Sequence, residues 1–273
     1  MQGSIGIFDS GYGGLTILEQ IRRKLPDYDY VYLGDNARSP YGNRSFEVVY
    51  SFTLQAVKWL FAQGCPLVIL ACNTASAKAL RTIQQRDLPQ IDSSRRVLGV
   101  IRPTVEYIGN ITCSRHVGIL GTPGTISSGS YPIEINKLFP DITVESQDCP
   151  MWVPLVENNE HNDCGADYFI NKYIDRILCR DKKIDTLILA CTHYPLLEKK
   201  IIKAIPVNVK LVSQGILVAD SLADYLYRHP EIDIRCKKNS ECRFYTTESE
   251  EKFASMASIF LKGKIKSEKA HLE

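Results

Sequence analysis

Two segments of this chain are near-copies of each other, and each predicts a buried strand that ends at a cysteine. Residues 67–74 read LVILACNT, and residues 186–193 read TLILACTH. Each segment begins with a short, continuous apolar run, which is typical of a strand that is covered on both faces. Small polar residues then follow the cysteine. The two copies therefore indicate a duplicated fold in which one thiol from each half faces a shared site.

The rest of the chain alternates short strand patterns with helical patterns. Further apolar β-type runs lie at residues 5–8, 30–33, 97–101, 117–120, 142–146 and 209–212. This alternation predicts an α/β fold with mostly parallel sheets that are covered on both faces. The rhythm restarts near residue 98, so we expect two pseudo-symmetric, doubly wound domains with the active site between them. Ligands in such folds gather at the carboxyl ends of the strands, where both cysteines lie.

Composition disfavours several classes of protein. The 273 residues carry a formal net charge of +2, which is too small to indicate a nucleic-acid partner. No apolar run approaches the roughly 20 residues of a membrane span, and we expect no signal peptide and no membrane partner. The nine cysteines are odd in number and show neither Cys-x-x-Cys nor zinc-ligand spacing. We therefore expect free thiols in a reducing cytoplasm and no bound metal.

A glycine turn follows the first strand pattern. Residues 9–14 read DSGYGG, a turn that lets backbone N–H groups approach a ligand at a helix N-terminus, where anions are favoured. Thr16 stands where a dinucleotide-binding fingerprint has its third glycine, which disfavours a Rossmann cofactor site. A turn that only permits tight packing is the alternative interpretation.

The residues that follow each cysteine suit acid–base chemistry. Asn73 and Thr74 follow Cys72, and His193 lies two residues after Cys191, where it is a candidate proton partner. Both cysteines are predicted at helix N-termini, where backbone amides and the helix dipole lower the pKa of a thiol. The amide and hydroxyl groups suit an amino-acid zwitterion. A single buried cysteine is usually a small apolar core residue, but packing alone has no reason to repeat the polar residues as well.

Six motifs, in order and spacing over residues 4–226, resemble those of the bacterial glutamate racemases. They occupy residues 9–15, 34–42, 71–75, 121–125, 149–157 and 191–197. The resemblance implies a cofactor-independent enzyme that interconverts L- and D-glutamate and supplies D-glutamate for peptidoglycan. Dimers are the commonest oligomers of soluble enzymes, so we also expect a homodimer.

The resemblance also implies roles for individual residues. Cys72 and Cys191 match the two catalytic acid/base thiols, with Cys72 on the side of D-glutamate. Auxiliary acid/base partners of the thiols are implied at Asp9, Asp35, Glu157 and His193. Substrate contacts are implied at Asp9, Ser10, Tyr41, Gly42, Asn73, Thr74, Thr125, Thr192 and His193.

An interrupted domain layout follows from the same resemblance. Residues 1–97 and 210–273 are expected to form the first domain, and residues 98–209 the second. Two positions depart from the family pattern. The chain reads Ser213–Gln214–Gly215 where an aspartate is expected after the strand, and Ala190 precedes the second cysteine where glycine is usual.

Three other functions stay open on the sequence. The chain is compatible with a cofactor-independent racemase that acts on aspartate or on a mixed range of amino acids. A thiol redox protein with a Cys72–Cys191 disulfide is disfavoured by the lack of a Cys-x-x-Cys motif. A protein that closes on an amino acid without catalysis is the third.

Overall fold

The computed structural model describes residues 2–261, 263 and 265–273, and its strands form two parallel sheets. The first sheet contains β1 (Ile5–Asp9), β2 (Tyr30–Gly34), β3 (Leu67–Leu70), β4 (Arg96–Gly99), β9 (Cys242–Thr246) and β10 (Ser267–Lys269). The second sheet contains β5 (His116–Gly121), β6 (Thr143–Asp148), β7 (Thr186–Ala190) and β8 (Lys210–Val212). The strand orders are β10-β9-β2-β1-β3-β4 and β6-β5-β7-β8.

Helices cover both faces of the sheets. They are α1 (Leu15–Lys24), α2 (Phe46–Ala62), α3 (Asn73–Lys78), α4 (Leu80–Thr82), α5 (Leu88–Ile91), α6 (Ile101–Ile111), α7 (Pro123–Ser127), α8 (Ser130–Leu138), α9 (Trp152–Glu157), α10 (Cys164–Arg180), α11 (Glu198–Ala204), α12 (Gly215–Arg228), α13 (Pro230–Asp233) and α14 (Glu250–Phe260). Among the described residues, no helix combines the length and apolar character that a membrane crossing needs. The predicted α/β class with parallel sheets is confirmed.

The central strands are buried on both faces because their successive side chains enter two different cores. In β1, Ile5 and Ile7 pack into one core with α1, whereas Phe8 packs into another core with α2. In β7, Leu187 belongs to the first of these cores, and Ile188 packs into a third core with α6 and α8. Continuous apolar strands are what this two-sided burial requires.

The chain crosses between the sheets twice. β4 pairs with β3, so the chain leaves the first sheet after Gly99, and β8 pairs with β7, so it leaves the second sheet after Val212. Of the boundaries predicted after residues 97 and 209, the first lies within β4 and the second immediately before β8. After the second crossing, α12 packs against α1 and α6.

Two strands in the last part of the chain extend the first sheet. β9 pairs with β2 over Cys242–Thr246, and β10 pairs with β9 at the outer edge. The sequence analysis predicts neither strand, because each lies where the sequence has little continuous apolar character. β9 therefore lies beside β2, and β2 in turn pairs with β1, with Gly34 opposite Asp9.

Candidate active site

Both duplicated cysteines line one pocket between the two sheets. Cys72 follows β3 of the first sheet, and Cys191 directly follows β7 of the second sheet. Cys72 is only 5% exposed and Cys191 only 6% exposed. The strand ends of parallel sheets meet at this edge, as the sequence predicts. The fold therefore brings together two thiols that lie far apart in sequence and shields them from bulk water.

Most of the predicted substrate-contacting residues line this pocket with the thiols. They are Ser10, Tyr41, Gly42, Asn73, Thr74, Thr192 and His193. Asp9 and Thr125 lie behind this lining. Thr125 Oγ1 is 3.2 Å from Thr74 Oγ1 and 3.1 Å from Thr122 Oγ1, so it supports two hydroxyls that do reach the pocket.

Cys72 caps the N-terminus of α3. Its sulfur accepts a hydrogen bond from the Ala75 N–H at 3.4 Å, and its thiol donates to Ser10 Oγ at 3.4 Å. Burial, with a contribution from the negative charge of Asp9, raises the pKa of Cys72 to about 12. The predicted lowering of this thiol pKa is wrong, because loss of solvation outweighs the backbone amide and the helix dipole. Cys72 therefore keeps its proton in the free enzyme.

Cys191 has a different kind of partner. No α-helix begins beside it; a 3₁₀ turn over Tyr194–Leu197 precedes α11. His193 Nδ1 lies 3.9 Å from Cys191 Sγ, and His193 Nε2 lies 3.0 Å from Glu157 Oε1. Burial lowers the pKa of His193, but its hydrogen bonds to Cys191 and Glu157 outweigh that effect and raise the pKa to about 10. The ring is therefore an imidazolium at neutral pH, with one N–H for each partner.

Asp9 joins the two halves beneath the thiols. Its side chain is fully buried, and Oδ2 accepts the Gly11 N–H at 3.0 Å. Oδ1 accepts the Thr192 hydroxyl at 3.4 Å across the pocket floor. Burial raises the pKa of Asp9, and the nearby His193 opposes this effect. A negative charge on Asp9 therefore acts on Cys72 and on His193, the partner of Cys191.

Asp35 lies outside the pocket. Its Oδ2 accepts Arg38 Nε–H at 2.7 Å and the Tyr41 hydroxyl at 2.5 Å, and its Oδ1 accepts the Thr247 hydroxyl at 2.8 Å. The carboxylate is fully buried and both of its oxygens are occupied. The predicted auxiliary acid/base role stays a prediction, because the hydrogen-bond partners of Asp35 here are Arg38, Tyr41 and Thr247. Asp35 positions Tyr41, whose ring lines the pocket.

Sequence reasoning missed part of the lining. It gave no individual role to the lining residues Ser39, Pro40, Asn43, Thr122, Pro123, Cys149, Pro150, Val153 and Pro154, although all of them except Asn43 lie within the six motifs. Thr122 had a usable signal, because it follows β5 as Ser10 follows β1 in the other half. Thr122 Oγ1 lies 2.9 Å from Thr74 Oγ1, so these two hydroxyls, one from each half, share one wall of the pocket.

Two thiols that line a buried pocket, with amide and hydroxyl donors beside them, form the arrangement that a cofactor-independent amino-acid racemase needs. Racemisation needs one acid/base group on each face of the carbon that loses its proton, and two thiols that line one pocket fit this need. The model of the Asp/Glu/hydantoin racemase family matches residues 15–219. This chain belongs to that family.

Individual relatives and solved structures agree with the family. A glutamate racemase from Ruegeria sp. (strain TM1040) is 39% identical over 277 residues, which cover 98% of this chain and 100% of the relative. A glutamate racemase isoform from Bacillus anthracis has a TM-score of 0.90 at 34% identity, with 99% of this chain and 98% of that chain covered. The Francisella tularensis glutamate racemase, solved with D-glutamate, has a TM-score of 0.87 at 33% identity and covers 100% of this chain and 98% of its own.

Proposed function

We propose that this chain interconverts L- and D-glutamate by proton transfer at Cys72 and Cys191, without a cofactor, and supplies D-glutamate for peptidoglycan. One observation carries the proposal: a thiol from each parallel sheet lines the same buried pocket. Similar proteins named glutamate racemase match over almost the whole chain, and one of them holds D-glutamate. The substrate class follows from these relatives together with the polar lining.

Racemisation removes the α-proton from one face of the carbon and returns a proton to the other face. One thiolate takes the proton, and the C–H electron pair stays on the α-carbon. The opposite thiol then protonates this carbanion, so that the negative charge ends on the second sulfur. Two groups of the same chemical type on opposite faces let the reaction run in both directions.

The surroundings of the two thiols support a direction of proton transfer for each. Cys72 is held protonated by burial and by the nearby charge of Asp9, so it is ready to donate to the carbanion formed from L-glutamate. A negative charge on Cys191 faces the His193 imidazolium, which suits Cys191 as the base for L-glutamate. Cys72 takes the proton in the reverse reaction, from D-glutamate.

The α-C–H group of an amino acid is a weak acid, so the residues that line the pocket must stabilise the carbanion that forms. Ser10, Asn73, Thr74 and Thr192 provide hydroxyl and amide donors around the thiols. Donors aimed at the carboxylate stabilise the charge that develops as the proton leaves. Exclusion of water around the buried thiols strengthens these interactions.

Isotope exchange tests the substrate and the mechanism together. The purified protein is incubated in deuterium oxide with L-glutamate or L-aspartate, and α-deuterium is followed by NMR. We expect exchange and racemisation with glutamate, and a loss of at least about 10²-fold in Cys72→Ala and in Cys191→Ala. Cys164→Ala, which changes an exposed cysteine, is the matched control.

Each other outcome contradicts a specific part of the proposal. Exchange only with aspartate would replace the substrate, and binding of glutamate without exchange would make the protein a binding protein. Near-wild-type racemisation by either thiol variant would remove the two-thiol mechanism. A Cys72–Cys191 disulfide that forms under mild oxidation and restores on reduction, in a protein without exchange activity, would favour redox chemistry.

We also propose that the enzyme acts as a homodimer in the cytoplasm. Closed dimers are the commonest assemblies of soluble enzymes, and chemistry on two free thiols needs a reducing compartment. Light scattering coupled to size exclusion measures the mass of the assembly. A monomer at the concentrations used for the activity assay would contradict the dimer.

A further inference from the structure

The carboxamide of Gln214 is buried at the second crossing between the sheets, and both of its polar atoms are engaged. Gln214 is 2% exposed. Its Oε1 accepts a hydrogen bond from Asn73 Nδ2 at 2.6 Å. Its Nε2 donates to the Tyr131 hydroxyl at 2.6 Å and to Thr104 Oγ1 at 2.7 Å. A side chain from the segment in which an aspartate was expected therefore contacts three segments of the fold.

These contacts close into a ring of three side chains. The Tyr131 hydroxyl, which receives a hydrogen bond from Gln214, donates in turn to Asn73 Oδ1 at 2.7 Å. Asn73 belongs to α3 of the first half, and Tyr131 belongs to α8 of the second half. The ring therefore joins the residue next to Cys72 to the opposite half through the crossing segment.

The direction of the hydrogen bonds around the ring is set by a backbone carbonyl. Val100 O only accepts, and the Thr104 hydroxyl donates to it at 2.8 Å. The Thr104 oxygen is therefore left to accept from Gln214, which turns Nε2 toward Thr104 and Oε1 toward Asn73. Asn73 must then donate one N–H to Gln214 and accept from Tyr131 with its oxygen. The second N–H of the Asn73 carboxamide takes no part in the ring.

We propose that Gln214 is a positioning residue that orients the Asn73 carboxamide so that this second N–H is offered to the substrate beside Cys72. Asn73 lines the pocket and Gln214 does not, so Gln214 acts through Asn73. The inference rests on the proposed glutamate racemase function. It also explains how the chain tolerates Ser213–Gln214 in place of the expected aspartate: the crossing is held by an amide instead of a carboxylate.

The test compares Gln214→Met, which keeps the length of the side chain, with Ser213→Ala. Ser213 Oγ donates to Glu198 Oε2 at 3.0 Å and has no link to Asn73. We expect Gln214→Met to lose about 10-fold in kcat/KM in both directions, the effect of one mis-set hydrogen bond. Ser213→Ala should keep wild-type kinetics. Equal kinetics of Gln214→Met and wild type would overturn the proposal.

A double-mutant cycle separates positioning from a general loss of structure. If Gln214 acts through Asn73, adding Gln214→Met to Asn73→Ala should cost little beyond Asn73→Ala alone, so the two effects are not additive. Losses that multiply would overturn the proposal. Exchange into glutamate is the readout because it detects slow variants.

A second variant keeps the test decisive if Gln214→Met does not fold cooperatively. Tyr131→Phe removes both hydrogen bonds that the Tyr131 hydroxyl makes in the ring, with Gln214 and with Asn73, and preserves the shape of a fully buried aromatic side chain. We expect a loss in kcat/KM in the same direction, and wild-type kinetics would overturn the proposal. If wild-type protein exchanges no α-deuterium into glutamate, the proposed function fails first, which distinguishes the two failures.

Discussion

His193 bridges a thiol and a carboxylate, with Nδ1 3.9 Å from Cys191 Sγ and Nε2 3.0 Å from Glu157 Oε1. In the described part of the chain, the sulfur of Cys72 has neutral hydrogen-bond partners instead, the Ser10 hydroxyl and the Ala75 N–H. The pseudo-symmetric scaffold therefore carries two electrostatically different thiols. This difference suits a site that handles two mirror-image substrates with the same side chain.

The charged state of His193 should appear in the pH dependence of stability. Its pKa is raised from 6.5 to about 10 on folding. Below pH 6.5, the protonated His193 makes its full contribution to the free energy of unfolding. This contribution is lost as the pH rises through the folded-state pKa of about 10. We expect His193→Asn to lose about 1.5–3 kcal/mol at neutral pH, the range for a hydrogen bond to a charged group.

Urea unfolding at pH 6, 8 and 10 (about these values, chosen to bracket the titration) measures this contribution. The difference between wild type and His193→Asn should shrink toward the highest pH. His229→Asn, which changes a partly exposed histidine paired with Glu231, is the control. A difference that stays constant over the whole range would show that His193 does not carry the charge.

Gly13 leaves room for the two residues that follow Cys191. A Cβ at this position would lie 2.3 Å from Thr192 Oγ1 and 2.5 Å from His193 Nδ1, which is too close for either atom to stay. We expect Gly13→Ala to displace the imidazolium from Cys191 and to lower kcat by about 10²-fold, as small misplacements in active sites do. Steady-state racemisation measures the effect.

Gly165→Ala is the matched control for Gly13→Ala. Gly165 lies near the N-terminus of α10, and apart from that helix's own backbone and the adjacent residues, no described atom lies within 4 Å of a Cβ there. This substitution should leave kcat unchanged and stabilise the fold by about 0.4–1 kcal/mol, because alanine has less freedom in the unfolded chain. Full activity in Gly13→Ala would contradict the packing argument.

The raised pKa of Cys72 predicts that this thiol resists alkylation. Only the thiolate reacts, and burial keeps Cys72 protonated, with a pKa of about 12. Cys113, Cys164 and Cys179 are exposed and should be labelled first by iodoacetamide near neutral pH. Peptide mass spectrometry gives the order, and a sample unfolded in urea shows that every cysteine can be labelled. Early labelling of Cys72 in the folded protein would contradict its protonated state.

Asp35→Asn distinguishes positioning from proton transfer. One oxygen of Asp35 holds both Arg38 and the Tyr41 hydroxyl, so the amide weakens the anchor of the Tyr41 wall. We expect KM to rise by about 5–10-fold, the effect of roughly one hydrogen bond, with kcat nearly unchanged. A fall in kcat of about 10²-fold at constant KM would instead support the predicted acid/base role of Asp35.

The duplicated strands could be predicted because their signal is local. Leu67–Leu70 and Thr186–Ala190 are buried on every residue, and such strands read as continuous apolar runs. The position of Cys72 and Cys191 at the strand ends then follows from the topology of parallel sheets. β10, in contrast, is three residues long and forms only because β9 offers an edge. Its pattern carries no such local signal.

The sequence alone determined that two cysteines end two buried strands and open toward one edge of the fold. Only the tertiary structure decided how each thiol behaves. Desolvation and Coulomb forces depend on burial and distance in the folded protein. Burial and the charge of Asp9 together raise the pKa of Cys72, although Asp9 lies 63 residues (72 − 9) before Cys72 in the sequence. The ring of Asn73, Tyr131 and Gln214 is likewise set by contacts across the fold, because hydrogen-bond directions require partners that the chain brings together only when folded.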